Sequence, residues 1–194
     1  MTLAEEILQF WFGDGHTPRF DLWFGKSDEV DAELRTRFGK ALEQASGGEL
    51  DGWLEEGPRQ RLAYVVLLDQ FTRNLHRGTA RMFENDERAR KAARRALKEG
   101  DDQTLTVLEA AFLYLPFEHS EALADQEEAV ARYEALHARA PEHLKKTTET
   151  MLQYAKWHEA PIRRFGRFPH RNKLLGRQST PEEEAFLREP NSSF

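Results

Sequence analysis

From Thr2 to Arg188 the apolar residues of this chain recur at intervals of three and four, and no stretch keeps the strict alternation of a half-buried strand. That period restricts the chain to helices. Glycine, proline and short polar residues divide it into segments. The first runs from Thr2 to Phe12 and is strongly aromatic. Ser27 is placed to cap a second, with Asp28 and Glu29 suiting the positive end of its dipole, and Gly47-Gly48 ends it near Ser46. Pro58 fits the first turn of a third, which passes through Leu62, Val65, Val66 and Leu68 to about Asn74. Asn85 or Asp86 starts a fourth that Gly100 ends. Leu105 to Leu115 is apolar and is expected to stop at Pro116. Ser120 is expected to open a helix to about Ala138, and Pro141 one to about Phe165. Thr180-Pro181-Glu182-Glu183 reads as an N-cap, a first-turn proline and a capping-box glutamate, for a last helix ending near Arg188.

The expected fold is therefore all-α, an array of antiparallel helical hairpins with about eight or nine helices in a single domain over residues 1–194. No regular long-period repeat is present. One short echo is: Phe10-Trp11-Phe12-Gly13 returns as Leu22-Trp23-Phe24-Gly25, with the rings expected to pack inward and the glycines to end helical turns. The core has material to spare, with 13 Phe and four Trp.

Several function classes fall away. There is no cysteine, which excludes disulfides, thiolate metal sites and cysteine nucleophiles. The first residues carry Glu5 and Glu6 and no basic segment, unlike a signal peptide, and the longest apolar run, Ala63 to Leu68, is too short to span a bilayer. A soluble cytoplasmic protein is the expectation. A net charge of −6 argues against nucleic acid as a partner. Metal and cofactor are not expected: no His-Glu-x-x-His occurs, Glu134-x-x-His137 is a single copy on a charged helix, and a mixed set of His119, His158 and His170 lacks any spacing signature.

Three polar blocks carry the functional expectation. In the first, Asp69-Gln70-Phe71-Thr72-Arg73-Asn74 closes a core helix, with Asp69 and Arg73 four residues apart on one face. Such groups either satisfy one another or line a polar pocket. In the second, Glu118 and His119 stand at a helix joint, where Glu118 could act as a base or orient His119. Glu121 reads as a first-turn acid. The third is basic. Ala160 to Thr180 holds six of the 28 Lys and Arg residues, one His and no acid. Arg163 and Arg164 suit a helix C-terminus. Arg167, His170, Arg171 and Asn172 belong to a loop pinned by Gly166 and Pro169, approached by His158. Arginine is the side chain best suited to carboxylate or phosphate. Internal carboxylates could equally be its partners.

Read together, Asp69, Glu118, His119 and His170 are the candidate acid–base residues. Arg73, Asn74, His158, Arg167, Arg171 and Asn172 are the candidate ligand-binding residues. The partner would be a small anionic molecule or a peptide carboxylate, with catalysis one reading and a peptide-binding scaffold the alternative. A third reading places the terminal carboxylate of Phe194 on the arginine cluster. Oligomeric state stays open.

The chain resembles the bacterial family catalogued as domain of unknown function 924. The resemblance rests on Phe10-Trp11-Phe12-Gly13, Trp23-Phe24-Gly25-Lys26, Leu68-Asp69-Gln70-Phe71-x-Arg73-Asn74, Phe112 through Glu121, Phe165 through Asn172, and the ending Asn191-Ser192-Ser193-Phe194. In that family proline often stands where this chain has Thr72. The resemblance implies a tetratricopeptide-like helical array and no established activity.

Overall fold

The computed structural model describes residues 1–193, and among them every regular element is a helix. Contacts divide the chain into two compact units, Met1–Pro116 and Phe117–Phe194.

In the first unit, α1 (Leu3–Phe12) starts at Thr2, whose hydroxyl accepts from the Glu5 N–H, and ends at Gly13, whose φ of +60° closes the turn. Next come α2 (Phe20–Phe24), α3 (Asp28–Gly47, capped by the Ser27 hydroxyl) and α4 (Trp53–Glu56). One helical rod then passes from α5 (Pro58–Val66) through a π-helical turn, Leu67–Phe71, into α6 (Thr72–Leu75). After a 3₁₀ turn at Ala80–Phe83 come α7 (Asp86–Lys98), α8 (Asp101–Thr104) and α9 (Val107–Glu118).

The core of this unit is an aromatic cluster. Trp11 meets Phe71 at 5.3 Å between ring centroids, and Phe112 meets both Phe12 and Trp23 at 5.0 Å, all near edge-to-face. The two Trp-Phe-Gly units pack on one another, with Trp23 Nε1 donating to the Trp11 carbonyl at 2.8 Å. Gly25 is required by space: a Cβ there would lie 2.1 Å from the Asp21 carbonyl oxygen. One ring departs from expectation. Phe24 is 54% exposed, because the five-residue α2 turns only Trp23 inward. Helix α7 lies against α5 through Ala89, Ala92, Ala93 and Ala96, small residues that admit close approach.

In the second unit, α10 (Leu123–Arg139) and α11 (Lys145–Phe165) form an antiparallel hairpin. Their cross-helix pairs run in opposite directions: Glu127 with Arg163, Glu134 with Lys156, His137 with Thr148. A 3₁₀ turn at Pro169–Arg171 and α12 (Pro181–Phe186) complete it. Pro141 precedes a 3₁₀ turn, Glu142–Leu144, and α11 itself starts only at Lys145.

Two further expected boundaries move. Helix α9 does not stop at Pro116 but continues to Glu118. A proline this late removes only one backbone hydrogen bond, to the Phe112 carbonyl. The helix ends where the fully buried Gln126 side chain takes its last carbonyl, donating to Glu118 O at 2.6 Å and, just beyond the helix, to Ser120 O at 2.6 Å. Ser120 does not open α10 directly. Its hydroxyl donates to Asp125 at 2.6 Å and accepts from the Ala122 N–H, and the helix starts at Leu123.

No helix among the described residues is long and apolar enough to cross a membrane.

Candidate functional site

Asp69, Arg73 and Asn74 belong to the first unit, and the other seven candidate residues to the second.

In the first unit the π turn is the unusual element. The Thr72 N–H bonds back five residues to the Leu67 carbonyl, adding one residue to the turn that carries Asp69 and Gln70. Such turns are rare in helices and concentrate at functional sites. Asp69 is 1% exposed. Its carboxylate accepts from Gln70 Nε2 at 2.6 Å and lies 3.2 Å from Arg73 Nη1, which donates to the Asp69 carbonyl at 3.0 Å. Arg73 reaches on to Asp86 at 2.9 Å. Asn74 turns away and donates to Asp31 at 3.0 Å, which also holds Arg77. Thr72 is a link that sequence reading passed over. Its hydroxyl accepts from Asn85 at 3.0 Å, and a proline in its place would lack the N–H that closes the π turn. The first block thus forms a connected polar network.

In the second unit the centre is a carboxylate–imidazole pair. His158 Nδ1 lies 2.9 Å from Glu118 Oε1, with side chains 6% and 4% exposed. The Tyr154 carbonyl, one turn back on α11, is also 2.9 Å from Nδ1. Two acceptors at one nitrogen place a ring proton on Nδ1. His119 follows Glu118 and brings its ring to 6.0 Å from His158. Phe168 packs edge-on to His158 at 5.8 Å, His170 lies 5.4 Å from Phe168, and the Arg171 guanidinium covers the Phe168 ring at 4.3 Å. Burial, reinforced by the Arg171 charge, pushes the His170 pKa down to about 3, so its imidazole is neutral at neutral pH.

The rest of the basic stretch is held by acids of the same unit. Gly166, at φ +69°, turns the chain out of α11. Glu121, expected to serve only the helix dipole, accepts from Arg177 at 2.7 and 2.9 Å and from the Phe168 N–H at 2.8 Å. Burial raises its pKa, but the Arg177 and Phe168 bonds outweigh that and hold it below the usual range. Glu183 accepts from Arg167 at 2.6 and 2.8 Å, from Asn172 at 3.3 Å and from the Thr180 N–H at 2.8 Å. The Arg167 bond, above all, lowers its pKa to about 2. Arg163 pairs with Glu127 and Glu159, and Arg164 with Glu182. Arg167 and Asn172 are therefore drawn to Glu183, while Glu118, His119, His158, His170 and Arg171 gather around Phe168. Glu121 and Glu183 were read from sequence only as a first-turn acid and a capping-box residue, and Arg177 and Gln126 were not among the candidates. The Phe194 carboxylate lies outside the described residues.

Among the described residues no group of three or more His, Asp or Glu is arranged to hold a metal ion. What the second-unit cluster offers chemically is a basic imidazole nitrogen oriented by a carboxylate, a neutral imidazole and a guanidinium.

No curated protein matches the chain. A solved structure of a protein of unknown function from Agrobacterium tumefaciens is similar at 40% identity, with a TM-score of 0.84, covering 96% of this chain and 97% of that one. The model of the family described as "Bacterial protein of unknown function (DUF924)" matches residues 7–191, and the chain belongs to that family.

Proposed function

We propose that the second unit binds a small anionic or carboxylate-bearing molecule beside Phe168, and that His158 serves there as a base. The buried Glu118–His158 pair carries this reading. A buried carboxylate that fixes the orientation of an imidazole has a chemical use, because it holds the ring in place for proton transfer. Arg171 supplies the cation for the anionic group, and His119 and His170 supply polar contacts. Arg167 is assigned a positioning role through Glu183.

Thermal denaturation at pH 7 with inorganic phosphate, acetate or succinate tests it. A ligand at about 100 times its Kd stabilises by about 2.7 kcal/mol. For a chain of this size that raises Tm by about 5–10 °C. Arg171→Gln should abolish the shift, and Glu118→Gln should move the pH dependence of binding. If none of the three probes shifts Tm, or Arg171→Gln responds as the parent does, the anion site is wrong.

The α10/α11 hairpin supports a second reading, a tetratricopeptide-like peptide scaffold. Peptide binding that is indifferent to Arg171→Gln would favour it.

A further inference from the structure

The first unit contains a groove that the polar networks do not use. It has a volume of about 210 Å³, below the roughly 300–1,000 Å³ of sites for drug-sized ligands, a size that suits a small metabolite. One wall is a single face of α3, and the other is formed by the end of α6 and the 3₁₀ turn after it.

Gly39 gives the groove its floor. It sits deep inside the 20-residue α3, where glycine costs about 1 kcal/mol relative to alanine. Nothing in the fold asks for it. Its φ is not positive, and a Cβ there would meet only Arg35 Cγ, at 3.9 Å. The missing side chain leaves open space above the helix, and that space is the groove.

The charges on the walls balance. Arg81 and Glu84 neutralise one another through two hydrogen bonds at 3.0 and 3.2 Å. Burial, then the Arg81 charge, lowers the His76 pKa, so His76 is uncharged at neutral pH. Arg35 and Glu43 stand on α3, one turn to either side of Gly39, with Glu43 also within electrostatic reach of Arg81. Arg35 makes one hydrogen bond among the described residues, to the Leu75 carbonyl at 2.9 Å, and pairs with no carboxylate. Glu43 makes no hydrogen bond among the described residues and lines the same groove. A cation and an anion of the protein thus face one small space from opposite ends, with Leu42 and Leu75 supplying apolar surface between.

A simple anion would be attracted by Arg35 and repelled by Glu43, and a simple cation the reverse. A molecule with both charges satisfies both. We propose that this groove binds a small amino acid as its zwitterion, the carboxylate on the Arg35 guanidinium and the ammonium on Glu43, lying over Gly39.

Calorimetric titration with L-alanine, L-leucine and 4-aminobutyrate tests this, with acetate, methylammonium and inorganic phosphate as single-charge probes. At least one amino acid should saturate with a Kd of about 1 mM or tighter. L-Leucine against 4-aminobutyrate distinguishes an α- from an ω-amino acid. Glu43→Gln, on an exposed side chain, should weaken that binding about tenfold. Gly39→Leu should remove it while leaving the circular dichroism unchanged, since leucine favours helix more than glycine does. Failure of all three amino acids to saturate overturns the proposal. So does unchanged binding by either variant, and so does acetate or phosphate binding as tightly as the best amino acid in Arg171→Gln protein, whose second-unit anion site is removed.

Discussion

Glu183→Gln isolates what neutralises the basic loop. The glutamate accepts two hydrogen bonds from Arg167, one from the Thr180 N–H and one from Asn172. Glutamine keeps the shape but turns an NH₂ toward N–H donors and leaves Arg167 without its counter-charge. Removing one partner of a fully buried pair costs about 3–5 kcal/mol, whereas an exposed pair is worth about 0–1 kcal/mol. Here the glutamate side chain is 2% exposed and the arginine 29%, so the freed guanidinium reaches some water. A loss of about 2–3 kcal/mol follows, between those limits. For a 194-residue chain it lowers Tm by about 4–12 °C. The pH dependence has a definite sign. With a folded pKa of about 2 against an ordinary 4.5, Glu183 contributes fully above pH 4.5, and its contribution is lost as pH falls toward 2. Melting followed by circular dichroism at several pH values from 7 to 3 should show a gap between parent and variant that is widest near neutrality and narrows in acid. A gap under about 1 °C at pH 7, or one that does not change with pH, would refute the assignment of Glu183 as the counter-charge of Arg167.

Phe112→Ala removes the ring shared by Phe12 and Trp23 and should destabilise by about 3–5 kcal/mol in denaturant titration, with loss of near-ultraviolet dichroism. Gly166→Ala forces a Cβ into the left-handed turn that ends α11 and should cost about 1–2 kcal/mol by the same measurement, whereas an unchanged midpoint would mean the turn tolerates a side chain. His170, with a folded pKa of about 3 against 6.5, should show flat imidazole NMR shifts from pH 8 to 5. Because the unfolded chain takes up that proton first, His170 costs stability as pH falls below 6.5, and His170→Gln should flatten that part of the stability profile.

What was legible in the chain divides by distance along it. The caps at Ser27 and Thr180 were readable because a cap joins residues three apart, and both hydroxyls accept the expected N–H. The end of α9 was not, because Gln126, eight residues beyond Glu118, decides it. The π turn was hidden for a similar reason. Its sequence is ordinary helix, and Asn85, which holds the Thr72 hydroxyl, lies thirteen residues away. Glu121 and Glu183 each had a sufficient local explanation, one as a dipole acid and one as a capping-box residue. The capping box is present, yet the same Glu183 carboxylate also binds Arg167. A local role that is satisfied therefore gives no warning of a second, distant one.

That double use changes what the basic stretch means for function. Charge counting along the chain made Arg167 and Arg171 equivalent, but in the fold they are not. Arg167 is tied to Glu183, and Arg177 to Glu121, so these pairs shape the loop and present little net charge to a ligand. Arg171 instead lies on the Phe168 face, beside the ring of His170 and one aromatic contact from the Glu118–His158 pair. The acids that neutralise the stretch also hold the backbone of Phe168, since Glu121 accepts from its N–H while Arg177 donates to its carbonyl. The salt bridges that remove most of the positive charge therefore fix the ring around which the remaining chemistry gathers. It follows that breaking Glu121–Arg177 should disturb His158 through the Phe168 ring, which a change in the His158 imidazole NMR signals of Arg177→Gln would reveal.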